Sequence, residues 1–133
     1  MVLNLAVCSC GQLQVTCAAE PLRVSMCHCL ECQKRTGSVF SVNARFRRDT
    51  VAVVGASQAY QRTGDSGKKL TFYFCPQCGS TVFWELESVP EVVAVAVGAF
   101  VNPDFPAPRI SVYESRRHGW VPVASIADLE HRD

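Results

Sequence analysis

Hydrophobic and polar positions alternate with a period of two along most of the chain, in short runs separated by turn residues. In Gln12–Ala18 the apolar positions Leu13, Val15 and Cys17 share one face, the pattern of a half-buried strand. Leu22–Met26, Val39–Phe46, Val51–Val54 and Ala59–Thr63 follow as β-branched or aromatic runs. Gly64, Asp65, Ser66 and Gly67 then mark a turn that joins Ala59–Thr63 to Leu70–Phe74 as a hairpin. Thr81–Leu86, Val92–Phe100 and Ile110–Tyr113 continue the series, and Pro103, Pro106 and Pro108 keep the segment between the last two in a loop. One helix is predicted from Leu30 to Thr36, ended by Gly37, and a second helical turn near Ile126–Glu130. The pattern predicts an all-β class, a barrel-like or layered set of short sheets with one or two short helices. With no linker, repeat or low-complexity stretch, the 133 residues read as one domain, 1–133.

Composition narrows the picture. Hydrophobic residues make up 48% of the chain and charged residues 19%, enough for a core and unlike a disordered segment. Met1 to Val7 is apolar, but too short and too little basic for a signal peptide. The longest apolar run, Val92 to Phe100, falls short of the ~18 residues that a membrane-spanning helix needs. A soluble, cytoplasmic protein with no membrane partner is expected.

Cysteine changes the picture most. Of eight cysteines, seven fall into three clusters: Cys8 and Cys10; Cys27, Cys29 and Cys32; Cys75 and Cys78. Disulfides would suit a secreted domain, but C-x-C and C-x-x-C spacing without a signal peptide favours metal ligation. A C-x-C pair also rarely meets disulfide geometry with itself. Zinc takes four ligands tetrahedrally, with thiolates at ~2.3 Å. Spacing alone leaves open which clusters share an ion. The economical partition joins Cys8, Cys10, Cys75 and Cys78 in a closed structural site and leaves Cys27, Cys29 and Cys32 with an open fourth position. A rival partition adds one cysteine of a pair to the triplet. The closed site would tie residue 10 to residue 75 across 64 intervening residues. Closing that loop costs about 4 kcal/mol in its length-dependent part, against roughly 10–16 kcal/mol from structural zinc in small peptides.

The formal charge of +1 counts thiols as neutral. Seven thiolates and two zinc ions would bring it to about −2. With no concentrated basic stripe in the sequence, phosphate-driven binding of nucleic acid is not expected. Three protein ligands and an exchangeable position are how catalytic zinc is built. A thiol arriving there would be deprotonated, which suits addition of sulfur to a carbonyl, or the reverse. Cys27, Cys29 and Cys32 are therefore the candidate catalytic residues. The competing reading is a four-ligand site, completed by His28, Glu31 or water, without turnover. His28, flanked by ligands, is expected to be a hydrogen-bonding neighbour. Cys17 is expected to be a buried hydrophobe.

The order C-x-C-G from Cys8, C-H-C-x-x-C-Q-K-R-T-G from Cys27 and F-C-P-x-C-G-S from Phe74 resembles the glutathione-dependent formaldehyde-activating enzyme family, whose superfamily also includes centromere protein V. The resemblance runs from about Cys8 to Val123. It implies a β-tent fold with two zinc positions, Cys8, Cys10, Cys75 and Cys78 holding a structural zinc and Cys27, Cys29 and Cys32 a second, catalytic-type zinc. Held by three thiolates and one exchangeable position, that second zinc is expected to be the more labile. The implied activity is a carbon–sulfur lyase reaction, condensation of formaldehyde with glutathione to S-hydroxymethylglutathione. The implied partner is a small-molecule thiol such as glutathione. Arg109 departs from the histidine that many members carry there, which bears on specificity if that position lines the pocket.

Other residues admit a plain and a sharper reading. Arg45, Arg47, Arg48, Lys34 or Arg35 would ordinarily be solvated, but one of them would suit a carboxylate of glutathione. Arg116, Arg117 and His118 are similar. Trp84, alternating with Val82 and Leu86, reads as core; Trp120 is expected to pack over the sheet; Phe40 and Ser41 are candidates to line a pocket. Two alternatives stand beside the enzyme reading. One is a glutathione- or zinc-binding carrier without turnover. The other is a protein-interaction module on the same scaffold.

Overall fold

The computed structural model describes residues 3–133, so the first two positions of the apolar start, Met1 and Val2, lie outside the described residues. The strands are β1 (Asn4–Val7), β2 (Gln14–Cys17), β3 (Arg23–Cys27), β4 (Ser41–Arg47), β5 (Val51–Val54), β6 (Gln58–Thr63), β7 (Lys69–Phe74), β8 (Thr81–Leu86), β9 (Val92–Ala96), β10 (Ile110–Val112) and β11 (Glu130–His131). A single α-helix among the described residues, α1 (Leu30–Thr36), separates β3 from β4. β1, β2 and β5 form a three-stranded antiparallel sheet, and the other eight strands form one sheet in the order β11-β10-β3-β4-β9-β8-β7-β6. No helix of the described residues is long and apolar enough to cross a membrane.

The core lies between the two sheets. Leu13, Val15 and Cys17 from the small sheet meet Ala44, Phe46 and Val95 of the large one, all fully buried. Each fully buried Val, Leu or Phe contributes about 1.5–3 kcal/mol. Because strand side chains alternate, placing Val24, Ala44 and Phe46 in the core sends Arg23, Ser25, Asn43 and Arg45 to the opposite face. That second face carries the cavity described below.

Helix α1 and its ends fit the sequence reading. The Cys29 sulfur caps the N-terminus by accepting from the Cys32 N–H, and Gly37, at φ 70°, closes the C-terminus by donating to the Gln33 carbonyl. The hairpin of β6 and β7 forms as expected, in the register Gln58↔Phe74 to Thr63↔Lys69.

Two expectations need correction. Val92–Phe100 is not one strand: β9 ends at Ala96, and Val97–Phe100 forms a 3-10 turn with Val101 left-handed at φ 51°. That turn brings Phe100 into the core, stacked on Phe105 at 4.6 Å and tilted against Phe46 at 6.0 Å. The helical turn expected near Ile126–Glu130 forms earlier, as a 3-10 turn at Val123–Ser125, and Asp128 at φ 59° keeps it from running on. The chain then extends as β11, parallel to β10. The apolar start is itself a strand, β1, antiparallel to β2.

Gly55 follows β5 with φ 105°, where a Cβ would stand 2.1 Å from the Gln12 carbonyl oxygen. The Gln12 side chain holds the same turn, accepting from the Ala56 N–H at 2.8 Å and donating to the Ala56 carbonyl at 2.7 Å. Gly55→Ala therefore meets both backbone strain and a collision with main chain. It is expected to destabilise by about 2–3 kcal/mol, a fall in Tm of roughly 10 °C. A variant melting within about 1 °C of wild type would refute this close approach.

Candidate functional site

The four cysteines of the two pairs converge from the two sheets. Cys8 and Cys10 sit in the β1–β2 loop, and Cys75 and Cys78 in the β7–β8 loop. Gly11 and Gly79, both at positive φ, turn each loop back on itself, donating to the carbonyls of Cys8 and Cys75. All four sulfurs lie within 4.8 Å of one another. The Cys8–Cys10 and Cys10–Cys75 sulfurs are each 3.6 Å apart. Four thiolates at ~2.3 Å from a tetrahedral ion would be roughly 3.8 Å apart, so the donor set fits a closed metal site. N–H groups already address these sulfurs: Leu13 N–H donates to Cys8 at 3.3 Å, Gln77 N–H to Cys75 at 3.4 Å and Gln12 Nε2 to Cys75 at 3.0 Å. The Ser80 hydroxyl, then its N–H, holds the Cys78 thiol down at about 5. Burial works against ionisation of Cys75, but donation from Gln12 and from the Cys78 and Gln77 N–H groups outweighs it and lowers the thiol below its usual range.

The triplet forms where β3 ends and α1 begins. The sulfurs of Cys27, Cys29 and Cys32 also lie within 4.8 Å of one another. The neighbouring thiols of Cys27 and Cys29 drive Cys32 down, with Ser41 and Arg35 adding to the effect. Cys29, Cys32 and burial push Cys27 far up. The three together release one proton readily and hold the last, so full ionisation calls for a cation among them. The residues present thus fit a metal ion in both clusters. His28 is fully buried with Nε2 3.0 Å from Ser111 Oγ, and its ring packs against Phe40 at 5.9 Å. It stands outside the sulfur group, a hydrogen-bonding neighbour as expected.

The triplet opens on a cavity of about 770 Å³ on the second face of the large sheet. Its floor follows from strand register. Cys27 faces Ser41, Ser25 faces Asn43 and Arg23 faces Arg45 across β3 and β4. The last of these rows continues through Ala94 and Trp84 to Phe72. The small side chains of Ala94 and Ala96 leave a trough between the polar strands and the aromatic wall. From α1, Arg35 lays its guanidinium 4.4 Å from the Trp84 ring and 4.9 Å from Phe72, a cation–π arrangement. Tyr113, left-handed at φ 56°, lines the cavity just after β10, whose Val112 pairs with Cys27. Eight of the 13 lysines and arginines line this space, against Glu31 and Asp65 alone among the acids.

The structure sorts the other candidates. Arg45, Lys34, Arg35 and Ser41 line the cavity, as does Arg116. Arg47 pairs with Asp49 and Arg48 with Glu85, both away from it. Arg117 donates to the Val121 carbonyl at 3.0 Å and His118 Nε2 lies 3.0 Å from Gln33 Oε1, both holding the C-terminal segment. Arg109 is exposed and does not line the cavity. Phe40 packs with Met26 instead of lining the cavity. Trp120 is 71% exposed, not packed over the sheet. Trp84 does not share a face with Val82: the register skips Val82 between Tyr73 and Phe74, a bulge that leaves Val82 in the core and Trp84 on the cavity wall. Cys17 is fully buried in the core and belongs to neither sulfur group, its thiol pushed up to about 12 by burial. Arg23 and Tyr113 were missed. Arg23 could have been found from its alternation with Ser25 and Cys27.

Fold and clusters together define a mostly β protein with two sites that could each hold a metal ion. The chain belongs to the glutathione-dependent formaldehyde-activating enzyme family, whose sequence profile matches residues 4–116. Its fold is similar to that of a Rhodobacter sphaeroides protein of known crystal structure, a structural-genomics target, at a TM-score of 0.57 and 26% identity over 74% of this chain and 91% of that one. No curated protein matches the chain.

The two clusters should respond differently to mutation. Cys75→Ser removes one of four sulfurs that converge from the two sheets, and is expected to leave unfolded or insoluble protein, since a structural zinc held there would contribute about as much as a whole domain's net stability. Cys29→Ser is expected to stay soluble. Circular dichroism melting of purified variants checks both; soluble Cys75→Ser with native melting would sink the structural role.

Proposed function

We propose that the protein is a zinc-dependent carbon–sulfur lyase that forms or cleaves a thiol–aldehyde adduct, such as S-hydroxymethylglutathione from formaldehyde and glutathione. One observation carries this reading: a three-sulfur cluster at the edge of a cavity of about 770 Å³, within the size range of small-molecule sites. Membership of the family supports the same chemistry. All-thiolate donor sets favour zinc among common divalent ions, so Cys8, Cys10, Cys75 and Cys78 would hold a structural zinc and Cys27, Cys29 and Cys32 a second, more labile one. Zinc at the triplet would supply a Lewis acid beside a deprotonated thiol. Reduced cysteines in both clusters suit the cytoplasm.

In the forward direction the thiolate sulfur adds to the aldehyde carbon. The carbon–sulfur bond forms, the carbonyl π pair moves to oxygen, and the alkoxide takes a proton; the reverse reaction returns thiol and aldehyde. The cavity residues orient the thiol and stabilise developing negative charge on oxygen. Tyr113, a phenol of ordinary pKa about 10, is protonated near neutral pH, and burial, then Asp65, raises that pKa further. Its hydroxyl can therefore donate a hydrogen bond in the cavity. Water serves as the general proton source.

Exchange between formaldehyde and glutathione, followed by NMR at equilibrium, tests the proposal. Wild-type protein is expected to accelerate exchange in proportion to its concentration, and Cys29→Ser to return it to the spontaneous rate. Equal rates for the two proteins would remove the enzymatic reading.

A further inference from the structure

The cavity holds a feature that carbon–sulfur chemistry leaves unused. Arg23 and Arg45 face each other directly on β3 and β4, both half-buried and both lining the cavity. Side chains opposite one another in an antiparallel pair stand about 4.5–5.5 Å apart at Cβ, and like charges there repel. No protein acceptor meets Nε of either arginine. Glu130 and Arg132, the charged groups that bear on Arg23 from β11 and just beyond it, are engaged with each other. Burial, first, lowers both guanidinium pKa values, yet arginine keeps its charge in proteins. Asn43 Oδ1, on the same polar face, is likewise without a protein partner.

Such a pair is unfavourable in the free protein and becomes favourable when an oxyanion enters, because guanidinium forks match carboxylate and phosphate oxygens. The pair also lies at a useful distance. Arg23 is four residues from Cys27 along β3, about 13 Å between Cα atoms, and its side chain shortens the gap. A tripeptide extends to about 10 Å.

We propose that Arg23 and Arg45 form an oxyanion subsite that reads a carboxylate or phosphate carried by the thiol substrate about a tripeptide's length from its sulfur, so that anionic thiols are selected over neutral ones. The proposal rests on the triplet receiving that sulfur.

S-methylglutathione keeps the carboxylates of glutathione but has no free thiol, so it probes the subsite apart from the reaction. Calorimetric titration into zinc-loaded protein is expected to show binding at least tenfold tighter than that of its diethyl ester. Arg23→Met or Arg45→Met should each weaken binding about ten- to a hundredfold, and Arg45→Lys should restore part of it. Relieved of repulsion, unliganded Arg45→Met should melt at or above the wild-type temperature, and S-methylglutathione should raise Tm only in wild type. Arginine-dependent binding of 4′-phosphopantetheine in place of S-methylglutathione would assign the oxyanion to a phosphate. Equal binding of acid and ester together with no arginine-dependent binding of 4′-phosphopantetheine, or wild-type affinity in Arg45→Met for whichever probe binds, overturns the subsite. Arginine-dependent binding without formaldehyde exchange would instead overturn the lyase reading and leave the subsite standing.

Discussion

Four sulfurs from two distant loops must meet at one point, and the rest of the molecule is arranged around that meeting. Cys8 and Cys10 leave the small sheet where β1 turns into β2; Cys75 and Cys78 sit where β7 turns into β8 in the large one. Their convergence fixes how the two sheets face each other, and so which residues share the buried layer. The geometry also uses a different currency from the core. Apolar packing is tolerant of small shifts, whereas a tetrahedral donor set admits little error in distance or direction. With only β strands of four to six residues flanking the cluster, the directional constraint of a bound ion would supply what length does not.

The large sheet is amphipathic in an uncommon sense. One face is apolar and packs on the small sheet. The other is divided by Ala94 and Ala96, with serine, asparagine and arginine to one side and Phe72 and Trp84 to the other. The alanines leave room because nothing else is placed to fill it, and α1 roofs the trough with a guanidinium resting on two aromatic rings. A cavity with one polar wall, one aromatic wall and sulfur at its end offers separate surfaces to separate parts of one ligand.

Much of this was legible in the chain. Period-two alternation placed most strands, Gly37 ended the helix, and the economical four-plus-three partition of seven cysteines, which spacing alone left open, is the grouping their sulfurs adopt. What could not be read came from register. The bulge at Val82 put Trp84, buried as expected, on the cavity face with Phe72 and Leu86, away from the core that Val82 joins; no local pattern announces such an inserted residue. The gathering of positive charge was also hidden, because Arg23, Arg45, Arg62 and Arg116 are scattered in sequence and meet only when β3, β4, β6 and the segment after β10 assemble. Arg109, by contrast, departs from the family pattern, yet it is exposed and does not line the cavity.

Gln12 gives the arrangement a mechanical consequence. One amide nitrogen lies 3.0 Å from the Cys75 sulfur and 2.7 Å from the Ala56 carbonyl, while the amide oxygen receives the Ala56 N–H at 2.8 Å. Two residues beyond Ala56 the chain enters β6, whose hairpin with β7 carries Arg62, Asp65 and Lys68 along the rim of the cavity. The sulfur cluster and the cavity rim are thus parts of one truss, with a single glutamine as the strut. A change in the charge or position of the Cys75 sulfur would be felt first as slack in that rim, well before the sheets part.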